Sequence, residues 1–415
     1  MLSSSVCRVL AAELSKLARV GRAWRALPQN VRALGWVSFA NDLSSELAYP
    51  IVPLFLTITL GAPVKVLGLI EGIAEGIALG LRGVAGWLSD RMGERRVPWI
   101  FGGYGLSAVS RPVLAAAPGW GWVLTARIAD RLGKGARTAP RDALIRDSSP
   151  PELVGASFGY HRAMDSLGAV LGPLAAVAML EAHLSLRTIL YVAVIPGILA
   201  VALVSFIKEA KRPEPVQEIE PQRALGLPGE FWFVLGTWTV FSLGNSSDAF
   251  LILRSRNLGL GLTLVVLSYA LYQFVYSSFS WPLGALSDRI PRPIILAAGL
   301  VVFALVYLGF AFAPGSWAVW PLFAVYGAYI AATDGVAKAW IADQVPGRAA
   351  GTAYGVFAAV TGLALVVASG VAGLLWSYVS PKAPFLLGAG SAVAALALLL
   401  ASGTGRRSLS LRPKG

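Results

Sequence analysis

Residues Gly86–Arg96 read GWLSDRMGERR, and a shortened copy, GALSDR, stands at Gly284–Arg289. Each follows an apolar run long enough to cross a bilayer, and each closes that run with an Asp-Arg pair. Two further sets of residues are copied with the same internal spacing. Asp147, Gly155 and Gly159 recur as Asp343, Gly351 and Gly355, and Ser44-Ser45-Glu46 recurs as Ser246-Ser247-Asp248. Three marks copied in the same order make the chain an internal repeat of two halves, with each mark at a corresponding place in its half.

Composition agrees. The chain has 415 residues, 56% hydrophobic and 14% charged, whereas soluble domains carry roughly 25% charged residues. The 45 glycines and 25 prolines run through the apolar stretches, which is tolerated in membrane helices because neighbouring helices re-satisfy freed backbone groups. Twelve apolar runs of about 20 residues, the length that crosses ~30 Å of hydrocarbon, lie near 33–58, 66–88, 98–116, 120–143, 156–180, 187–207, 230–253, 264–286, 294–313, 317–341, 351–376 and 384–402. The net charge of +13 has no polar domain on which to form a nucleic-acid patch, so no nucleic-acid partner is expected. A single cysteine, Cys7, and two histidines give no disulfide framework and no metal or cofactor site.

Lys and Arg set the orientation. The even-numbered breaks hold Arg91, Arg95, Arg96, Arg146, Lys208, Lys211, Arg212, Arg223, Arg289, Arg292 and Arg348; the odd ones hold only Lys65, Arg187, Arg254, Arg256 and Lys382. Both termini and the even breaks are therefore expected in the cytoplasm, with the chain in the plasma or inner membrane. The divisions expected are a basic amphipathic segment over 1–30, a six-helix bundle over 31–207, a proline-rich cytoplasmic linker over 208–229, a second bundle over 230–403 and a basic tail over 404–415.

Charges inside the spans are costly, about 2.5 to 3.5 kcal/mol each at the bilayer centre on insertion scales, so they must pair or line a wet cavity. Asp42 and Glu46 lie in the first span, Glu71, Glu75 and Arg82 in the second, Arg127, Asp130, Arg131 and Lys134 in the fourth, and His161, Arg162 and Asp165 in the fifth. Helical spacing puts the second-span set on one side of its helix and the fourth-span set on one stripe. Glu71 and Glu75 stand one turn apart and repel when both are ionised, so one of them can hold a proton; pairing of Glu75 with Arg82 or a fourth-span arginine is the structural alternative. Asp42 with Glu46 is a second candidate pair, and Asp130 and Asp165 complete the proton-coupling candidates. Arg111, in the third span near its end, is expected to snorkel. The second half carries few charges, among them Asp248. Candidates for substrate and cavity contact are Arg82, Arg127, Arg131, Arg162, Asp248, Tyr272, Gln273 and Tyr276, and the arginine excess suggests an anionic small molecule.

The motifs now on the page resemble those of the major facilitator superfamily, over the whole of residues 31–403. Gly86, Asp90, Arg91, Gly93, Arg95 and Arg96 match the family's motif A, whose aspartate latches one conformation against a neighbouring helix. In the second copy Pro291 and Pro293 depart from the pattern. GAVLGP at Gly168–Pro173 resembles the start of motif C, found in the family's antiporters; Gly168, Gly172 and Pro173 match, while Ala175 and Ala176 replace its closing glycines. Arg127 fits motif B only in part. The resemblance implies an all-α membrane protein of twelve helices in two pseudo-symmetric six-helix bundles, monomeric, with the first, second, fourth and fifth helices lining the cavity of the first half. It implies a transporter, not an enzyme, moving a small molecule by alternating access, with proton-coupled efflux as the expected mode. An importer, a uniporter or a lipid flippase of the same fold is the alternative. No Ser/His/Asp set, Walker-type loop or dinucleotide fingerprint supports a membrane enzyme.

Overall fold

In the computed structural model the described residues are 27–91, 95–210, 226–287, 290–345 and 350–401; side chains at 79–80, 82–91 and several later positions, Trp281, Asp334 and Lys338 among them, are left undescribed. The expected segments 1–30, 208–229 and 404–415 therefore lie mostly outside the described residues. Within them the chain forms twelve helical spans. These are α1 (Gln29–Ala48, continued by Ile51–Leu54 and Phe55–Thr59), α2 (Val64–Arg91), α3 (Val97–Ala116), α4 (Trp120–Ser148), α5 (Val154–Glu181), α6 (Leu186–Val192 and Val194–Val204), α7 (Gly229–Ser242 and Ala249–Asn257), α8 (Leu262–Ser287), α9 (Arg292–Phe312), α10 (Val319–Gln344), α11 (Ala350–Tyr378) and α12 (Ala383–Ala401). This is the expected all-α membrane architecture of two six-helix bundles. Six stretches, among them Leu186–Val204, Arg292–Phe312 and Ala383–Ala401, are apolar enough to span by composition alone. Spans α1, α2 and α4 fall outside that set and carry the charged stripes.

Three spans read as continuous from the sequence are interrupted. In α1 the helix ends at Ala48 and resumes at Ile51, since Pro50 has no amide hydrogen to continue the ladder. In α6 the break at Ala193 lies one turn before Pro196, which cannot donate to the Val192 carbonyl. In α7 the helix stops at Ser242 and restarts at Ala249. Between them stand Gly244, Asn245, Ser246, Ser247 and Asp248, residues that favour turns and local side-chain hydrogen bonds over helix. A β-carbon at Gly244 would meet Ser391 Cβ at 2.6 Å, so the break lets α7 press against α12.

The repeat extends to the connections. The turns after α1 and α7 each carry a glycine with positive φ, Gly61 (62°) and Gly259 (96°), a backbone region that costs other residues strain. Outside the repeat, the C-terminal end of the third helix of each half is met by an arginine, part-buried Arg187 in the first and buried Arg254 in the second. Arg187 donates to the Ala115 and Ala117 carbonyls at 2.8 and 3.0 Å, and Arg254 to those of Phe310 and Ala311 at 2.9 and 3.1 Å. A cation at a helix C-terminus satisfies carbonyls that lack a partner in the ladder and complements the dipole. These two arginines of the odd-numbered breaks thus have structural partners.

The bundles meet along α2 and α11 at the end bearing Lys65. A β-carbon at Gly72 would lie 2.8 Å from the Val366 carbonyl oxygen, and one at Gly373 would lie 3.0 Å from Lys65 Cα, so this contact depends on the absence of side chains. Lys65 closes it, its ammonium donating to the Tyr378 hydroxyl at 2.7 Å and its amide to Ser377 Oγ at 3.0 Å.

Candidate functional site

On α4, residues Arg127, Asp130, Arg131, Lys134 and Arg137 recur at three- and four-residue intervals and so share one face. Helix α2 runs alongside with Glu71 and Glu75 one turn apart, and the two sets meet as a ladder. Arg127 Nη2 lies 2.7 Å from Glu71 Oε2, and Arg131 Nη2 lies 3.1 Å from Glu75 Oε1. Each carboxylate thereby faces its own guanidinium. The Glu71 rung is almost wholly buried, whereas the Glu75 side chain is 29% exposed. Below the rungs the helices close up, because a β-carbon at Gly135 would sit 2.9 Å from Leu81 Cβ. The Arg82 side chain lies outside the described residues.

On its other side α4 packs against α3 through Gly103 and Gly133; a β-carbon on Gly103 would stand 2.7 Å from the Gly133 carbonyl oxygen. That close approach seats Arg137 against α3, where it donates to Ser107 Oγ at 2.7 Å and its guanidinium stacks 4.4 Å from the Tyr104 ring centroid. One turn along α3 is Arg111, which does not snorkel. It is 4% exposed and turns into the bundle, donating to Asn41 Oδ1 at 3.1 Å. Arg111 sits against Gly197 of α6, where a β-carbon would lie 2.8 Å from its Nη1, so the bundle closes around the guanidinium before it can reach an interface.

The two carboxyls of α1 diverge. Asp42 accepts from Asn41 Nδ2 at 2.9 Å and neighbours Asp165 of α5, whose Oδ1 accepts from Ser38 Oγ at 2.5 Å and whose Oδ2 lies 3.5 Å from Arg162 Nη1. Glu46 reaches across to the second bundle, where the Tyr269 hydroxyl and Gln273 Nε2 each donate to it at 2.9 Å. Both partners are neutral. Among the described residues no cation stands within ion-pair distance of Glu46. Asp248, in the α7 break, is likewise held by a hydroxyl, that of Tyr326 at 2.7 Å. Tyr272 packs between Tyr269 and Tyr326, with ring centroids 5.4 Å from each, and Tyr276 accepts a hydrogen bond from Arg162.

Asp42, Glu46, Tyr49, Arg111, Arg131 and Lys134 are among the residues that line a cavity between the helices of the first bundle. Asp130 lines it too, 3.9 Å from Arg131. Asn41, Tyr49 and Tyr269 were not singled out as site residues from the sequence. Tyr269 could have been found, because it occupies the repeat position of Glu71.

The glycines resembling motif C face α1 at the level of its carboxyls. A β-carbon at Gly168 would lie 2.6 Å from the Phe39 carbonyl oxygen and 3.1 Å from Asp42 Cβ; one at Gly172 would lie 2.7 Å from the Leu47 amide nitrogen and 2.9 Å from the Glu46 carbonyl carbon. Backbone cannot yield as a side chain can, so Gly172→Val is expected to cost about 1 to 3 kcal/mol through overpacking. It should also displace Glu46 from Tyr269. Thermal unfolding in detergent measures the first effect, and loss of cross-linking between cysteines placed at 46 and 269 measures the second.

Of motif A, the side chains of Gly86, Asp90 and Arg91 and all of Gly93 lie outside the described residues. Arg95 is exposed, and Arg96 is buried with its Nη1 2.7 Å from Asp147 Oδ2 at the end of α4.

A model of the Major Facilitator Superfamily matches residues 34–270 and 248–414. An uncharacterised MFS-type transporter of Methanocaldococcus jannaschii is 35% identical over 383 residues, 91% of this chain and 95% of the relative. Among solved structures, a mutant of the nucleoside transporter NupG superposes with a TM-score of 0.74 at 13% identity, covering 89% of this chain and 99% of that one. The human organic anion transporter MFSD10 superposes with a TM-score of 0.64 at 16% identity over 89% and 99% of the two chains. At such identities the structural likeness speaks for the fold alone.

Proposed function

Because this chain belongs to the major facilitator superfamily, and so is an integral membrane secondary transporter working on a small molecule by alternating access, we propose that it couples that transport to protons and exports its substrate by antiport. The observation that carries the coupling is Glu46, which joins the two bundles through Tyr269 and Gln273 with no cation among its contacts. A proton arriving on such a carboxyl breaks no ion pair. It removes the charge that draws two donors from the opposite bundle, and a charge-assisted hydrogen bond is roughly twice as strong as a neutral one. Proton binding therefore loosens the contact between bundles and proton release restores it, linking titration to rocking.

The Asp42–Asp165 pair is the second candidate, since two neighbouring carboxyls repel when both are ionised and one of them can hold a proton. Glu71 and Glu75 serve in this reading as fixed anchors of the α4 arginines. The outward sense of transport is supported by Gly168, Gly172 and Pro173, through their resemblance to the antiporter motif and their contact with α1 beside Asp42 and Glu46. The distribution of Lys and Arg supports cytoplasmic termini and a plasma or inner membrane location, with residues 31–207 and 230–403 as the two moving bodies.

Everted membrane vesicles test the proposal. After respiration acidifies the lumen, a pH-sensitive dye should report lumen alkalinisation when a transported compound is added from a panel of organic anions, phosphate esters and lipophilic cations. Transport of a compound with no accompanying proton movement would refute coupling; proton movement in the same direction as the compound would refute antiport.

A further inference from the structure

The cations lining the cavity are not all spoken for. Arg127 and Arg131 are matched by Glu71 and Glu75, and Arg137 is spent on Ser107, Gly103 and the Tyr104 ring. Two remain. Arg111 uses Nη2 on Asn41, while its Nη1 is fully buried and has no hydrogen-bond partner among the described residues. Lys134 is exposed into the same cavity and has no ion-pair partner among the described residues. The carboxyls facing this space are engaged elsewhere: Asp42 with Asn41 and Asp165, Glu46 with the second bundle, and Asp130 with Arg131 at 3.9 Å. None forms an ion pair with Arg111.

We propose that Arg111 and Lys134 form an oxyanion site in this cavity and that the substrate is a small organic molecule presenting a carboxylate or phosphate group to them. A guanidinium anchored on Asn41 through Nη2 is held in orientation, and its Nη1, beside Gly197 at the cavity wall, is a buried donor still without an acceptor among the described residues. The Lys134 ammonium, exposed into the cavity, adds a point charge on a long side chain that can meet anions of different size. Arg111 had been expected to reach for the lipid interface. Its contacts with Asn41 and Gly197 place it inside the bundle, as a built recognition element.

The inference rests on reading this cavity as the transport site, and its test is one of binding, independent of flux. Purified full-length protein in detergent is titrated with benzoate, phenyl phosphate, benzyl alcohol and benzylamine at constant ionic strength, following the unfolding midpoint. Benzoate or phenyl phosphate should raise the midpoint, and the two arms separate carboxylate from phosphate recognition. The neutral and cationic analogues should leave it unchanged. Lys134→Gln, a cavity-exposed change with no ion pair to break, should weaken anion binding about tenfold, equivalent to 1.4 kcal/mol; Arg111→Gln should weaken it at least as much, and Arg111→Lys less. Stabilisation by all four probes alike, by neither anion, or undiminished anion binding in Lys134→Gln would overturn the site. Anion binding that survives while vesicles show no proton-linked flux would leave the site standing and remove the coupling.

Discussion

Glu71→Ala is expected to destabilise the protein by about 3 to 5 kcal/mol, the cost of leaving a buried charge without its partner. Glu71 is 1% exposed and its Oε2 receives the Arg127 guanidinium at 2.7 Å, with Ser247 of the opposite bundle at 3.4 Å. Removal of the carboxylate leaves Arg127, between α2 and α4, without an ion-pair partner among the described residues. The double substitution Glu71→Met with Arg127→Met should recover most of the loss, since an apolar pair of similar volume can match or exceed a buried ion pair. Glu75→Ala provides the contrast. Its partner Arg131 also lies near Asp130, and its own side chain is partly open to the cavity, so its loss should cost less. A double-mutant cycle on thermal or denaturant unfolding in detergent measures the coupling; an unfolding midpoint for Glu71→Ala equal to that of the wild type would show that the pair does not hold α4.

The second large effect is on coupling. Glu46→Gln keeps the size and polarity of the side chain and removes its titration. Proton-driven transport in everted vesicles should fall to the level of vesicles lacking the protein, while exchange of substrate for substrate persists, because exchange returns the carrier without a change of protonation. Asp42→Asn should act in the same direction. Tyr269→Phe should have an intermediate effect, since it removes one of two donors to Glu46, and a hydrogen bond to a charged group is worth about 1.5 to 3 kcal/mol. Full proton-driven transport in both Glu46→Gln and Asp42→Asn would exclude these carboxyls as the coupling groups.

Much of the site was within reach of one-dimensional reading because intramembrane charge is scarce. Asp42, Glu46, Glu71, Glu75, Arg127 and Arg131 stand out against an apolar background, and their three- and four-residue spacing assigns them to helix faces. Spacing along one helix says nothing of what the neighbouring helix presents. Asp42 and Glu46 look like one pair in sequence, yet one turns to Asp165 on α5 and the other to Tyr269 and Gln273 on α8. Arg111 lies near the end of its span in sequence, yet Asn41 and Gly197 hold it inside the bundle.

By itself the sequence determined the class, the number of spans and the twofold repeat, because hydrocarbon thickness imposes a span length and duplicated turns and charges survive as duplicated letters. It marked which residues carry charge where charge is expensive. Only the tertiary structure decided how those charges are distributed between anchoring and free roles. Partner choice is settled by contacts between helices far apart in the chain, such as the Gly103–Gly133 approach that seats Arg137 and the α7 break that brings Ser247 to Glu71. Those contacts depend on atomic distances of a few ångströms, and no periodicity along a single helix encodes them.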